Sequence, residues 1–318
     1  MPPTGDELGQ RLRDGDLSAA PAVLNLVESR ATGHQNEIDA LLHAVSPAAL
    51  GGEATAHVVG VTGPPGVGKS SLLSELVRAW RAEDRSVAVL AVDPSSKRSG
   101  GALLGDRARI VVDPADRCVF IRSMAAGGRL GGLAPATRAA AHALAAAFDV
   151  VVIETVGVGQ SETEIAEVAD TVAVVVQPGG GDILQFLKSG IMEIPDVLVV
   201  TKADLGQVAQ RSRRDLNAAL RSLGARNTRV VAVSSIAPAT GFDELVAALD
   251  AHRTALDIGA RRLASRRASA LADFVAEHGE RGLRALGGQR SALKLLGEQD
   301  AALDVAALTR ALEQTAAA

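Results

Sequence analysis

Seven short runs rich in Val, Ile and Leu punctuate the middle of the chain, at 57–62, 87–92, 118–121, 150–154, 171–176, 197–200 and 229–233. Each is nearly continuous in apolar residues rather than alternating, the pattern of strands buried on both faces in a parallel sheet. Between them, at 70–83, 134–147 and 205–223, the sequence reads as helices. Strand and helix in alternation predict a doubly wound α/β domain with a mainly parallel sheet, an α+β domain built from the same elements being the alternative. The flanks differ. Residues 1–55 carry amphipathic helical patterns at 8–17, 20–31 and 37–45 and no strand. From about Gly241 the chain is again helical, rich in Ala, Leu and Arg, and Gly287-Gly288 divides it. The arginines of Arg261-Arg262 and Arg266-Arg267 are expected on a solvated helix face, a partner-binding surface being the other option. The predicted organisation is a helical N-terminal extension (1–55), an α/β core (56–250) and a helical C-terminal region (251–318).

Composition narrows the function classes. A chain of 318 residues holds one or two domains at about 150 residues each. With 47% hydrophobic and 22% charged residues it is neither disordered nor a long coiled coil. A formal net charge of −4 argues against a nucleic-acid coat. Five Phe, one Trp and no Tyr leave no stacking platform for single strands, so the core must be built from Ala, Val, Leu and Ile. The single cysteine, Cys118, excludes an internal disulfide and a Cys-based zinc site, and fits a reducing compartment. The N-terminus has early acids and no signal-like apolar run. The longest apolar stretches are interrupted by Asp149, Glu154 and Asp170, so no membrane span is expected. The expectation is a cytoplasmic protein with no nucleic-acid and no membrane partner.

The sharpest chemical signal is Gly63-Pro64-Pro65-Gly66-Val67-Gly68-Lys69-Ser70, a complete G-x-x-x-x-G-K-[ST] motif between a predicted strand and a predicted helix. Glycines let backbone N–H groups converge on phosphate oxygens, and the helix N-terminus adds partial positive charge. Lys69 would place its charge against the β- and γ-phosphates, and Ser70 would offer a hydroxyl to Mg²⁺. Gly63, Pro64, Gly66, Val67, Gly68, Lys69, Ser70 and Ser71 are therefore candidate nucleotide contacts.

Three further strand ends supply the metal, the trigger and the base. Asp93 ends the second strand, where carboxylates of parallel sheets face the ligand crevice, and is a candidate for Mg²⁺ or its water; it also suits an Asp-Pro turn. The fourth ends as Ile153-Glu154-Thr155-Val156-Gly157-Val158-Gly159-Gln160, which resembles the D-x-x-G trigger of GTPases with Glu in place of Asp. Glu154 would bind Mg²⁺ through water or orient the attacking water, and the Gly157 N–H would sense the γ-phosphate. The sixth ends as Thr201-Lys202-Ala203-Asp204, which resembles the N-K-x-D base reader with Thr for Asn. Asp204 would accept hydrogen bonds from guanine N1 and N2, a donor pair that adenine lacks. The Lys202 stem would lie over the base. Val233-Ser234-Ser235 after the seventh strand resembles the S-A loop of GTPases, whose backbone N–H meets guanine O6, with Ser235 in place of Ala.

Taken together, the segments GVTGPPGVGKSSL (60–72), AVDPSSKRSGGALLGDRARI (91–110), FIRSMAAGGRLGGLAPATR (120–138), FDVVVIETVGVGQSE (148–162), PGGGDILQFLKSGIMEIPDVLVVTKAD (178–204) and VSSIAPATGFDEL (233–245) resemble the MeaB/ArgK family of GTPases. These are chaperones of adenosylcobalamin-dependent acyl-CoA mutases. The resemblance runs from about residue 20 to residue 260. It implies a P-loop GTPase fold, GTP/GDP as ligand and Mg²⁺ as cofactor. It further implies a first switch at 99–110, with Asp106 approaching Mg²⁺, and a second at 154–164. A mobile loop at 179–188 would couple nucleotide state to the mutase through Asp182, Gln185 and Lys188. Two residues in that loop depart from the family, Ile183 where Glu is common and Phe186 where Gly is common. A homodimer held by the C-terminal helices is also implied.

The resulting expectation is a GTPase that gates cofactor loading or protection of an acyl-CoA mutase, most readily methylmalonyl-CoA mutase. Glu154 or Gln160 would position water, with Lys69 and Mg²⁺ stabilising developing charge. No arginine finger is assignable, Arg107, Arg109 and Arg129 being candidates only. A nickel-type metallochaperone would need Cys and His ligands near the switches, and the six His are scattered. An ArgK-type transport ATPase or kinase would need a base beside a substrate hydroxyl, and none stands out. An interaction protein with a dead P-loop is countered by the intact Lys69, Ser70, Asp93 and Glu154.

Overall fold

The structure, a computed structural model, describes residues 2–29, 31, 33–93, 110–125, 133–155, 165–179, 195–225 and 227–317, and of Asp93 the backbone alone. Seven strands form one sheet: β1 (His57–Thr62), β2 (Val87–Asp93), β3 (Val119–Ala125), β4 (Val150–Thr155), β5 (Thr171–Val176), β6 (Val197–Val200) and β7 (Arg229–Ala232). They lie in the order β3-β2-β4-β1-β5-β6-β7, and every pairing is parallel. This is the doubly wound α/β sheet that the apolar runs predict. The helices are α1 (Gly5–Arg13), α2 (Ala20–Val27), α3 (His34–Ala44), α4 (Pro47–Leu50), α5 (Lys69–Ala82), α6 (Pro135–Leu144), α7 (Gln207–Ser222), α8 (Phe242–Ala255), α9 (Ile258–Ala285), α10 (Gln289–Gly297) and α11 (Val305–Ala317).

The chain divides into two compact units, and neither is a continuous segment. One comprises residues 57–134 and 148–256, the other 1–56, 135–147 and 257–318. In the first, Val59, Val61, Val87, Val89, Val150, Val152, Val175, Val197, Val199 and Val231 present one sheet face to Leu72, Leu76 and Trp80 of α5 and Leu245 and Leu249 of α8. The alternate residues Val58, Ala88, Leu90, Val151, Ile153, Val172, Val174 and Leu198 are buried too. Burial on both faces explains why these strands read as unbroken apolar runs.

Acids that interrupt those runs fix the strand register. At the N-terminal edge of the sheet Asp149 Oδ2 accepts from Ser86 N at 2.7 Å, Asp170 Oδ2 from Val58 N at 2.9 Å, and Asp196 Oδ2 from Val172 N at 2.8 Å. Each carboxylate stands just before one strand and accepts from the start of a neighbour, so a one-residue slip would strand both partners. The same edge holds a polar chain: His57 Nε2 meets Thr171 Oγ1 at 2.8 Å, Thr171 Oγ1 meets His252 Nδ1 at 2.9 Å, and His252 Nε2 lies 3.1 Å from Asp196 Oδ1. Arg85 grips both oxygens of Asp250 at 2.9 and 2.6 Å. Burial pushes the His57 pKa down, more strongly than nearby Asp250 and Asp170 raise it. Burial opposes ionisation of Asp250, yet His57 and Arg85 hold its carboxyl below the usual carboxylate range.

The second unit is helical. α1 opens with a capping box in which Glu7 N donates to Thr4 Oγ1 at 3.2 Å and Thr4 N donates to Glu7 Oε2 at 2.8 Å. Among the C-terminal helices, Ala270, Leu271 and Phe274 of α9 pack with Ala292 and Leu296 of α10 and Leu308 and Leu312 of α11. The turn between α9 and α10 falls at Gly287-Gly288, as the sequence predicts. Two arginines of the run, Arg262 and Arg266, do not lie on a solvated face, while Arg261 and Arg267 are half-buried. Arg262 and Arg266 are 7% and 4% exposed. Arg262 donates to the Ala54 and Ala56 carbonyls at 2.5 and 2.7 Å. Arg266 pairs bidentately with Glu53 at 2.9 and 2.8 Å and donates to the Ala301 carbonyl at 2.8 Å. Carbonyl groups of the irregular segments at 54–56 and 301 need donors, and the guanidinium fork supplies several from one side chain.

Candidate functional site: a phosphate cradle joined to a base-reading loop

Parallel strands place all their C-terminal ends on one edge, and that edge gathers most of the described candidate residues. β1 ends at Thr62 and the chain turns through 63–68 into α5. Gly63 stands at φ 150°, and a Cβ there would lie 2.3 Å from the Val175 carbonyl oxygen, closer than any side chain tolerates. Gly68 caps α5 in the left-handed region at φ 97°. The glycines thus satisfy steric demands of the turn as well as leaving room for a ligand. Val67 is buried in the sheet core, which anchors the loop from below. Lys69 is buried and donates from Nζ to the Gly63 and Pro64 carbonyls at 2.8 and 3.1 Å, so its ammonium lies over the loop's own backbone. Ser70 is half-buried and Ser71 exposed at the first turn of α5.

The second half of the site is the segment 201–204. Thr201, buried at 4% exposure, donates from Oγ1 to the Val67 carbonyl at 2.7 Å. Its N–H donates to the Val176 carbonyl at 3.0 Å. The Thr in place of Asn therefore makes a direct bond between the 201–204 segment and the glycine-rich loop. Lys202 is left-handed at φ 53°, and its Nζ donates to Gln177 Oε1 at 2.6 Å. Ala203 N donates to the Val233 carbonyl at 3.0 Å. The exposed Asp204 accepts at Oδ1 from Ser234 Oγ at 2.8 Å, and buried Ser234 is itself held by paired backbone bonds with Thr240 at 3.0 Å. One oxygen of Asp204 is thus oriented from within the protein. Ser235 is half-buried in the following loop.

On the other side of β1, Glu154 is 3% exposed at the end of β4, in register with Val61. Beside it Thr155 Oγ1 donates to Thr62 Oγ1 at 3.1 Å, both side chains being buried. Asp93 ends β2 at the same edge, in register with Ala125 of β3. A buried carboxylate and a serine hydroxyl at a helix start are hard oxygen donors, the chemistry that suits Mg²⁺. Asp106, Gly157, Gln160, Asp182, Gln185 and Lys188 lie outside the described residues, as do the arginine candidates Arg107, Arg109 and Arg129. Gln177, Thr62 and Thr155 also stand at this edge, and no sequence motif assigns them a role. Their position at the C-terminal ends of predicted parallel strands is the signal that would have found them.

The strand order, the glycine-lined loop with its buried lysine and the Thr201–Asp204 segment bonded to it define a P-loop GTPase. More narrowly, the family described as "Methylmalonyl Co-A mutase-associated GTPase MeaB" matches residues 20–283, and the chain belongs to that family. A Pyrococcus abyssi protein with GTPase in its name is 42% identical over 270 residues, covering 82% of this chain and 80% of its own. A Caenorhabditis briggsae protein named "Methylmalonic aciduria type A homolog, mitochondrial" is 39% identical over 214 residues, 64% of this chain. The chain spans about half of that relative, 51%. The crystal structure of a protein named as an LAO/AO transport system kinase is similar over 98% of this chain and 97% of its own, with a TM-score of 0.66 and 29% identity.

No helix among the described residues is long and apolar enough to cross a membrane. In the C-terminal helices the large apolar side chains mostly close into their own core, and Leu293 is the strongly exposed one at 46% among the described residues.

Proposed function

We propose that the chain hydrolyses GTP at this edge of the sheet and that the cycle gates cofactor loading or protection of an adenosylcobalamin-dependent acyl-CoA mutase, methylmalonyl-CoA mutase first among them. The observation that carries the nucleotide half of this reading is the 2.7 Å bond from Thr201 to the Val67 carbonyl, because it holds the segment that would read the base against the loop that would bind the phosphates. Gly63, Pro64, Gly66, Val67, Gly68, Ser70, Ser71 and Gly157 would contact phosphates, and Lys69 would exchange its loop carbonyls for phosphate oxygens. Asp204 would read guanine N1 and N2, with Thr201, Lys202, Ser234 and Ser235 completing the base site. Ser70, Asp93, Asp106 and Glu154 would hold Mg²⁺, which supplies charge neutralisation at the β- and γ-phosphates when bound. Glu154 or Gln160 would orient the attacking water in line with the scissile bond.

The mutase half rests on the family's description and on the name of the nematode relative. Asp182, Gln185 and Lys188 would couple nucleotide state to that partner, and the protein would act as a cytoplasmic homodimer. The name of the structurally similar kinase favours a second reading, phosphoryl transfer to a transport protein. One experiment separates them: phosphate release from GTP and from ATP, with and without a methylmalonyl-CoA mutase from the same source. GTP hydrolysis that accelerates with the mutase, absent with ATP, is expected. Label transferred to protein instead of water would support the kinase reading, and an inert wild type would refute both. Light scattering of the purified protein tests the dimer.

A further inference from the structure

Among the described residues, Lys202 and Asp84 are the non-glycine residues with positive φ, and the lysine holds this conformation at the site itself. A non-glycine side chain in the left-handed region crowds its own backbone, so something must hold it there. Five ties hold the segment: Thr201 to Val67 of the cradle and to Val176, Ala203 to Val233, Asp204 to Ser234 and Lys202 to Gln177. Gln177 is half-buried and follows the last residue of β5. The bond to Lys202 is 2.6 Å long, with a charged donor and at an exposed position, so its role is to orient the lysine rather than to stabilise the fold. Without an acceptor at that point the exposed lysine stem would sample many rotamers, and ordering it would fall on nucleotide binding.

We propose that Gln177 is a positioning residue for base recognition, fixing the Lys202 ammonium so that the lysine stem forms the face on which a purine stacks. Ser234 orients the carboxylate that reads the base edge from the β7 side, and Gln177 orients the stacking face from the β5 side. The inference rests on the reading that segment 201–204 takes the base of a nucleotide.

A double-mutant cycle on the full-length protein tests it, with GDP affinity by calorimetry and GTP hydrolysis as readouts. Gln177→Leu removes the acceptor at similar size; Gln177→Glu keeps it. Gln177→Leu is expected to weaken GDP binding and raise KM for GTP about tenfold, with kcat changing far less. Gln177→Glu is expected to restore both to within about twofold. In a Lys202→Ala background Gln177→Leu is expected to add nothing further. A Gln177→Leu protein that binds like the wild type would overturn the proposal. So would a penalty that persists unchanged in the Lys202→Ala background, or one that lowers kcat and melting temperature together, since either marks a merely structural residue. A wild type that prefers ATP over GTP would refute guanine reading alone; the cycle would then be run with ATP and ADP, and coupling between Gln177 and Lys202 would still be required.

Discussion

Replacing Thr201 by Val tests whether the cradle and the base-reading segment act as one body. The two side chains have nearly the same shape, so the change is a hydroxyl for a methyl at a site 4% exposed. Thr201 Oγ1 lies 2.7 Å from the Val67 carbonyl and 3.2 Å from the Val176 carbonyl, and its one proton serves the nearer. The Val176 carbonyl keeps its bond from Thr201 N, 3.0 Å, whereas the Val67 carbonyl loses this donor. Leaving a buried acceptor short of a partner costs about 1–3 kcal/mol. In a unit of this size each kcal/mol lowers the melting temperature by about 2–4 °C. Part of the cost falls on binding, because a segment freed from Val67 must be re-ordered by the nucleotide, and about 1.4 kcal/mol of that is tenfold in affinity. Calorimetric GDP binding and thermal unfolding of Thr201→Val, beside Thr201→Ser as the hydroxyl-retaining control, measure both effects. A Thr201→Val protein with wild-type melting temperature and GDP affinity would refute the linkage.

Three other outcomes are expected. Asp204→Asn should abolish the preference for GTP over ATP, losing about two orders of magnitude or more in discrimination, because the amide presents a donor where the carboxylate accepts; competition binding with GTP, ATP and xanthosine triphosphate checks it. Arg266→Met should destabilise the helical unit by about 3 kcal/mol, since it strands Glu53 and the Ala301 carbonyl, and a denaturant titration reads the loss. Stability should also fall with acid. His57 has a folded-state pKa below the value near 6.5 of the unfolded chain, so its contribution is fully present above about pH 6.5 and is lost as pH falls below it. Asp250, held low by His57 and Arg85 despite its burial, loses its contribution only below the ordinary carboxylate pKa near 4. Denaturant midpoints at pH 7.5 and 5.5 should therefore differ in the wild type, and the difference should shrink in His57→Gln; an equal difference in both would contradict the assignment.

Much of this site is visible before any folding because its chemistry is local. The cradle is eight consecutive residues whose glycines, lysine and serine serve one turn, so spacing along the chain is already geometry in space. The same holds for Thr201 to Asp204. β1, β2, β4, β5 and β6 are legible because burial on both faces demands unbroken apolar runs, whereas the edge strand β3 is half-buried along most of its length. In the sequence Asp149 and Asp170 do no more than exclude a membrane span; the fold uses them to lock the register of β4 and β5 against their neighbours.

Other features depend on partners distant in sequence, which no local pattern encodes. Arg262 and Arg266 look like a solvated face by charge alone, yet they are buried because Glu53, Ala54, Ala56 and Ala301 come to meet them. The compact units could not be drawn as consecutive segments, since residues 135–147 leave the sheet unit to pack with both termini. Gln177 and Lys202 are 25 residues apart, and Thr201 and Val67 are 134 apart. The sequence therefore shows the glycine-rich loop and the Thr201–Asp204 motif as separate segments. Only the sheet order, which sets β1, β5 and β6 side by side, brings the Val67 carbonyl within reach of the Thr201 hydroxyl, because a hydrogen bond forms over about 3 Å and not along the chain.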